Sequence, residues 1–138
     1  MIPDWPPGTV TILATHGPHA IPVSTARRAG PRTVLLALGP SRGSLARLRA
    51  DPRVALAVIA EGVAVTLRGR ATEVGEAAGT VAVRLDVDAV DDHARSTFAI
   101  HEGVRWEWTD DDARARDEQV RAALQRFEDG PPDVLVDD

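Results

Sequence analysis

The sequence predicts a mainly β fold, a small antiparallel barrel carrying two peripheral helices. Three observations predict it. Short apolar runs of strand type recur along the chain, each cut by a turn rich in glycine or proline. Later segments alternate apolar and polar residues with a period of two, the pattern of a strand with one buried face. Only two stretches show helical spacing, one after the third apolar run and one near the end of the chain.

Each element follows from its residues. Met1 to Gly8 contains three prolines and is expected to be an extended lead-in, with Trp5 as a lid over apolar surface. Strands are expected over Val10–Thr15, Ile21–Ala26 and Thr33–Leu38, the first two joined by the His16–His19 turn. Ser41 to Ala50 reads as a short helix with Ser41 as its N-cap and Leu45 and Leu48 on one face. Asp51-Pro52 ends it, because a residue before proline avoids helical angles. Val54–Ala60 is a fourth strand. Val63, Val65 and Leu67 alternate with polar or small residues as far as Arg70, and Val81 to Val87 alternate in the same way. Val104, Trp106 and Trp108 would share one face of a last short strand. A C-terminal helix then starts at Thr109, which with Asp112 has the spacing of a capping box. Val120, Leu124 and Phe127 are its apolar stripe, Gly130-Pro131-Pro132 its end, and residues 130–138 a loose acidic tail.

Composition narrows the function. The 138 residues, 43% hydrophobic and 27% charged, suit one domain spanning the chain. No run approaches the roughly 20 apolar residues of a membrane span, and no signal-peptide pattern opens the chain. With no cysteine, thiolate metal sites, disulfides and a cysteine nucleophile are excluded, in agreement with a cytoplasmic protein. A net charge of −5 argues against indiscriminate binding of nucleic acid or anionic membrane.

Against that acidic background Leu38–Val54 holds four arginines and one aspartate. All basic residues of the chain are arginine. A helix start presents unpaired N–H groups and a partial positive charge, so an anion there is stabilised by geometry and dipole together. Ser41 and Ser44 could donate hydroxyl hydrogen bonds, and Arg42 could grip a phosphate with two parallel donors. The alternative is a solvated helix face that keeps the surface soluble. Arg49 and Arg53 are the weakest members of the cluster, one of them a partner for Asp51.

From Val10 to Arg70 the order of features resembles the pyridoxamine 5′-phosphate oxidase-like, FMN-binding split-barrel family. The pieces that carry the resemblance are VTILAT, IPVS, TVLLALGPSRGS, LARLRADPRVALAV and VTLRGRATEV, in the family's order and spacing. They cover about half of the chain. The resemblance implies a split antiparallel barrel, with a short helix after strand 3 and a C-terminal helix. It also implies a homodimer with sites between subunits, and a flavin or deazaflavin oxidoreductase acting on a small molecule. FMN is the first cofactor it suggests; the deazaflavin F420, or none, is the alternative. Carried onto this chain, the phosphate falls to Ser41, Arg42 and Ser44, with Leu38 leading into the turn. The flavin ring lies against Pro22, Val23, Ser24 and Thr25. Ser24 and Thr25 face opposite ways, so at most one reaches a ring. The family usually has a lysine, or an Arg-Lys pair, early in the helix. Gly43 and Ser44 stand there in this chain, which leaves the role to Arg42 or Arg47.

Trp106 and Trp108 either reach across the dimer to a ring or pack in the core or subunit interface. His16 and His19 lack a third ligand and Asp86, Asp88, Asp91, Asp92 and His93 lack a calcium-loop pattern, so no metal is expected. His101 has no partner in the pattern. No catalytic residue and no catalytic triad can be read. Two other functions remain open: a split-barrel binding module without flavin, and an unrelated barrel whose basic helix meets a protein partner.

Overall fold

The structure is a computed structural model that describes residues 2–128, so the expected acidic tail and the end of the last helix lie outside the described residues. Seven strands form one antiparallel sheet: β1 (Thr11–Thr15), β2 (His19–Val23), β3 (Arg27–Gly30), β4 (Thr33–Leu38), β5 (Arg53–Ala60), β6 (Val63–Ala77) and β7 (Thr80–Asp92). Their order across the sheet is β2-β1-β5-β6-β7-β4-β3. The two outermost strands are consecutive in sequence but do not pair, so the sheet curls into a barrel with one open seam. Ser24 to Ala26 cross that seam, and the fold is mainly β with a split barrel, as expected.

Period-two burial builds the interior. Val54, Leu56, Val58 and Ala60 of β5 face inward, and Leu13, Leu36, Leu38, Leu67, Val83 and Leu85 from neighbouring strands meet them in one cluster. At roughly 1.5–3 kcal/mol for each large apolar side chain removed from water, this cluster dominates the stability of the barrel. Two helices complete it. Helix α1 (Gly43–Ala50) turns Leu45 and Leu48 into the main cluster. Helix α2 (Asp111–Glu128) places Leu124 against Ala77 and Ala82 in a second, smaller cluster.

The β6–β7 hairpin is long enough to serve both clusters because it bends. Its register shifts at Arg68/Gly69 and again at Glu73/Gly75. A Cβ at Gly69 would lie 1.9 Å from the carbonyl oxygen of Asp86, which no L side chain tolerates. At Gly75 the missing Cβ makes room for the Phe127 ring, 2.8 Å from where that atom would sit.

Four details differ from the sequence reading. Val104 to Trp108 form no strand; the alternating residues lie in the long connection between β7 and α2 and enter no ladder of the sheet. The second expected strand, Ile21–Ala26, is observed as His19–Val23. The seventh strand is instead Arg27–Gly30, a polar segment, so α1 follows the fourth strand rather than the third. The caps move by one residue. Arg42 occupies the N-cap of α1 with no side-chain cap bond, because the backbone first closes a turn from the Arg42 N–H to the Gly39 carbonyl. At α2 it is Asp110, not Thr109, whose carboxylate accepts the Asp112 N–H at 2.8 Å.

Candidate functional site

Two neighbouring features make up the candidate site: the barrel seam and the start of α1. Thr25 holds the seam. Its hydroxyl accepts the Ala37 N–H at 2.9 Å and lies 3.4 Å from the Ala37 carbonyl. Thr25 is therefore buried beside the last residues of β4, and the chain runs from there through Leu38 and Gly39 to Arg42. Val23 and Leu38 point into the barrel core. Pro22 lies on the outer face of β2, exposed. Ser24 turns the other way from Thr25 and donates to the Asp117 carboxylate of α2 at 2.9 Å. Both hydroxyls of the expected ring wall thus have partners within the chain.

The start of α1 is open. No side chain caps it and no acidic residue stands in its first turn, so its first N–H groups and the positive end of its dipole are uncompensated. A Cβ built on Gly43 meets nothing within 4 Å. Ser41 and Arg42 are exposed, and among the described residues the Arg42 guanidinium makes no hydrogen bond or ion pair. Ser44 is buried, and its hydroxyl shares a 3.3 Å hydrogen bond with His19 Nε2 at the start of β2. Arg47 points back to the β1–β2 turn, where Nη1 donates to the Gly17 carbonyl at 3.1 Å. The other two arginines are committed to carboxylates. Arg49 pairs with Glu73 on β6, and Arg53 pairs with Asp51 at 2.6 Å. The hydrogen bonds from the Arg53 side chain and backbone hold the Asp51 carboxyl well below its usual range, and the bond from Arg49 lowers Glu73. Of the cluster, Arg42 alone is left with its full donor set facing solvent.

Trp106 and Trp108 lie away from both features in chain order. Their rings pack edge to face with centroids 4.8 Å apart, and the residues are 39% and 37% exposed. Gly103 in the same connection presses against β5, where a Cβ would come 2.1 Å from the Ile59 carbonyl oxygen. Trp5 is buried, and its indole N–H donates to the Ala26 carbonyl at 2.9 Å.

One part of the site had no place in the sequence reading. A cavity of about 420 Å³ opens beside Thr25, between the lead-in (Asp4, Trp5), the start of β3 (Arg27, Arg28) and α2 (Glu118, Arg121). The one sequence signal was the Arg27-Arg28 pair directly after PVSTA; nothing local pointed to α2 as the opposite wall. Among the described residues no group of three or more histidine, cysteine or acidic side chains could hold a metal ion, and no helix is long and apolar enough to cross a membrane.

No family model and no curated protein matches this sequence. Solved structures do match by shape. HupZ of Group A Streptococcus superposes with a TM-score of 0.55 at 11% identity, over 69% of this chain and 90% of that one. A Lactobacillus delbrueckii protein provisionally described as a pyridoxamine 5′-phosphate oxidase gives 0.54 at 16% identity, over 60% and 84%. An F420 reductase gives 0.54 at 15% identity, over 61% and 90%. At such identities the likeness is one of fold. This chain has the split-barrel fold of the pyridoxamine 5′-phosphate oxidase-like proteins.

Proposed function

We propose that this chain is an oxidoreductase that binds a flavin-type cofactor, FMN or a deazaflavin, and acts on a small molecule. The observation that carries the reading is the uncapped start of α1 with the unpaired Arg42 guanidinium beside it. A phosphate or comparable anion satisfies both the free N–H groups and the guanidinium. Thr25 at the seam is hydrogen-bonded beside Ala37 of β4, a few residues before the start of α1, which leaves the rest of a ring-bearing molecule a wall to rest on. The residues present therefore suit such a group, although no lysine is among them. When bound, the cofactor supplies the hydride chemistry, while the chain binds and orients it.

The likeness in fold to an F420 reductase and to a protein described as a pyridoxamine 5′-phosphate oxidase supports the same reading. A homodimer belongs to it. Ile12 of β1 and Ile59 of β5 are exposed on the outer face, with Pro22 and Ala57 at the positions paired with Ile12. An apolar strip of this kind suits burial against a second copy, which would also wall in an otherwise open α1 terminus.

Titration of the purified chain with FMN and with F420, followed by visible absorbance and fluorescence, is the test. Uptake of either at micromolar concentration supports the proposal. A chain that takes up neither is not an oxidoreductase of this kind, and the binding-module reading replaces it.

A further inference from the structure

The cavity beside Thr25 has a chemistry of its own. Its apolar surface comes from Trp5, Pro7, Ala26 and Ala122, and its charge from three arginines against two acids. At about 420 Å³ it lies toward the small end of the roughly 300–1,000 Å³ typical of small-molecule sites.

Two of these guanidinium groups, those of Arg121 and Arg27, are only partly used. Arg121 donates from Nε to Asp117 at 2.8 Å, and both of its Nη groups lack a partner among the described residues. Arg27 faces Glu128 at 2.9 Å and donates from Nη1 to the Arg121 carbonyl at 3.4 Å, with Nη2 left over. These side chains are 35% exposed at Arg27 and 26% at Arg121, so both are drawn well back from solvent. Donors held in a half-buried pocket favour an acceptor that water serves poorly. The lining acids do not take that role, for both are engaged elsewhere. Asp4 accepts the Trp5 N–H at 2.9 Å, and Glu118 lies 3.8 Å from Arg114.

We propose that this cavity binds a small organic carboxylate, its flat apolar part against Trp5 and its carboxylate on the spare Nη groups of Arg121 and Arg27. A monoanion is favoured over a dianionic phosphate, because the lining charge is only +1 and Asp117 and Glu128 stand behind the two arginines. The role as substrate rests on the oxidoreductase reading, since Thr25 belongs both to this cavity and to the wall offered to the ring. Binding of the carboxylate itself does not depend on that reading.

Benzoate and its neutral isostere benzamide, titrated into the cofactor-free full chain by calorimetry, test the site. The indole N–H resonances of the three tryptophans report its position. Benzoate is expected to bind at least tenfold more tightly than benzamide and to shift the Trp5 resonance while Trp106 and Trp108 stay in place. Arg121→Gln should weaken benzoate at least tenfold. Ala122→Phe fills the cavity, leaves every guanidinium in place and should abolish binding; it decides the matter if melting shows Arg121→Gln to be unfolded. Equal binding of the two probes, an unmoved Trp5 resonance, no benzoate binding at about 10 mM, or undiminished binding by Ala122→Phe overturns the proposal. A chain that takes benzoate but no flavin keeps this site and loses the oxidoreductase reading. Flavin uptake without benzoate binding does the reverse.

Discussion

Ser24 and Asp117 meet across 2.9 Å, the hydroxyl of the barrel seam donating to a carboxylate in the middle of α2. The same carboxylate accepts Arg121 Nε at 2.8 Å and is 8% exposed. One buried acid thus fastens the C-terminal helix to the seam and orients an arginine over the cavity. The apolar contribution of α2 is modest, with Val120 and Leu124 its buried residues, so these polar ties matter for its docking.

Asp117→Ala removes the acceptor from two donors at once. The expected loss is about 2 kcal/mol, and about 1 kcal/mol for Ser24→Ala, which leaves the Arg121 pair intact. Urea unfolding measures both. Equal effects would mean that Arg121 gains nothing from Asp117.

Thr25→Val keeps the volume at the seam but removes the acceptor of the Ala37 N–H. A buried donor left unsatisfied costs about 1–3 kcal/mol. The loss is expected to be local first, so hydrogen exchange at the Ala37 amide should accelerate more than at Leu35 or Leu36 on the same strand.

Arg42 and Arg47 make opposite predictions. Among the described residues the Arg42 guanidinium makes no hydrogen bond or ion pair, so Arg42→Ala should leave the folding free energy within about 0.5 kcal/mol of the parent and lower affinity for a phosphate-bearing cofactor at least tenfold. Arg47 ties α1 to the β1–β2 turn through the Gly17 carbonyl. Arg47→Ala should lower stability and affect cofactor affinity less. Titration and thermal melting of the two variants side by side separate the roles.

Acid should loosen the C-terminal end of α1, where Arg49 and the C-cap Asp51 lie. Asp51 and Glu73 are held below their ordinary values of 3.8 and 4.5 by Arg53 and Arg49. A carboxyl lowered in the folded state contributes stability above its unfolded value and loses it as the pH falls through the folded one. The melting temperature is therefore expected to drop below about pH 4.5, and Asp51→Asn should shrink that drop. An unchanged acid limb would show that the surface pair contributes nothing.

Much of this molecule can be read from local pattern. Val54–Ala60 and Thr33–Leu38 have the right residues for strands and are strands. Leu45 and Leu48 lie on one face of a helix stopped by Asp51-Pro52, and both are buried. In each case burial of one face leaves a period in the chain itself. Arg27–Gly30 has no such period; it is a strand because β4 offers it a free edge, with Arg27 opposite Leu35 and Arg28 opposite Val34. Val104, Trp106 and Trp108 have the period but enter no ladder of the sheet, and no strand forms.

The site divides along the same line. The helix start behind Gly39-Pro40, with its arginine, was visible because capping and charge act within a few residues. The cavity beside Thr25 was not, because its walls are a proline-rich lead-in, a polar edge strand and a helix about ninety residues later. Hydrophobic alternation is a property of neighbours along the chain. The pairing of Ser24 with Asp117, and of Arg27 with Glu128, exists only once the sheet has curled and α2 has closed over its seam.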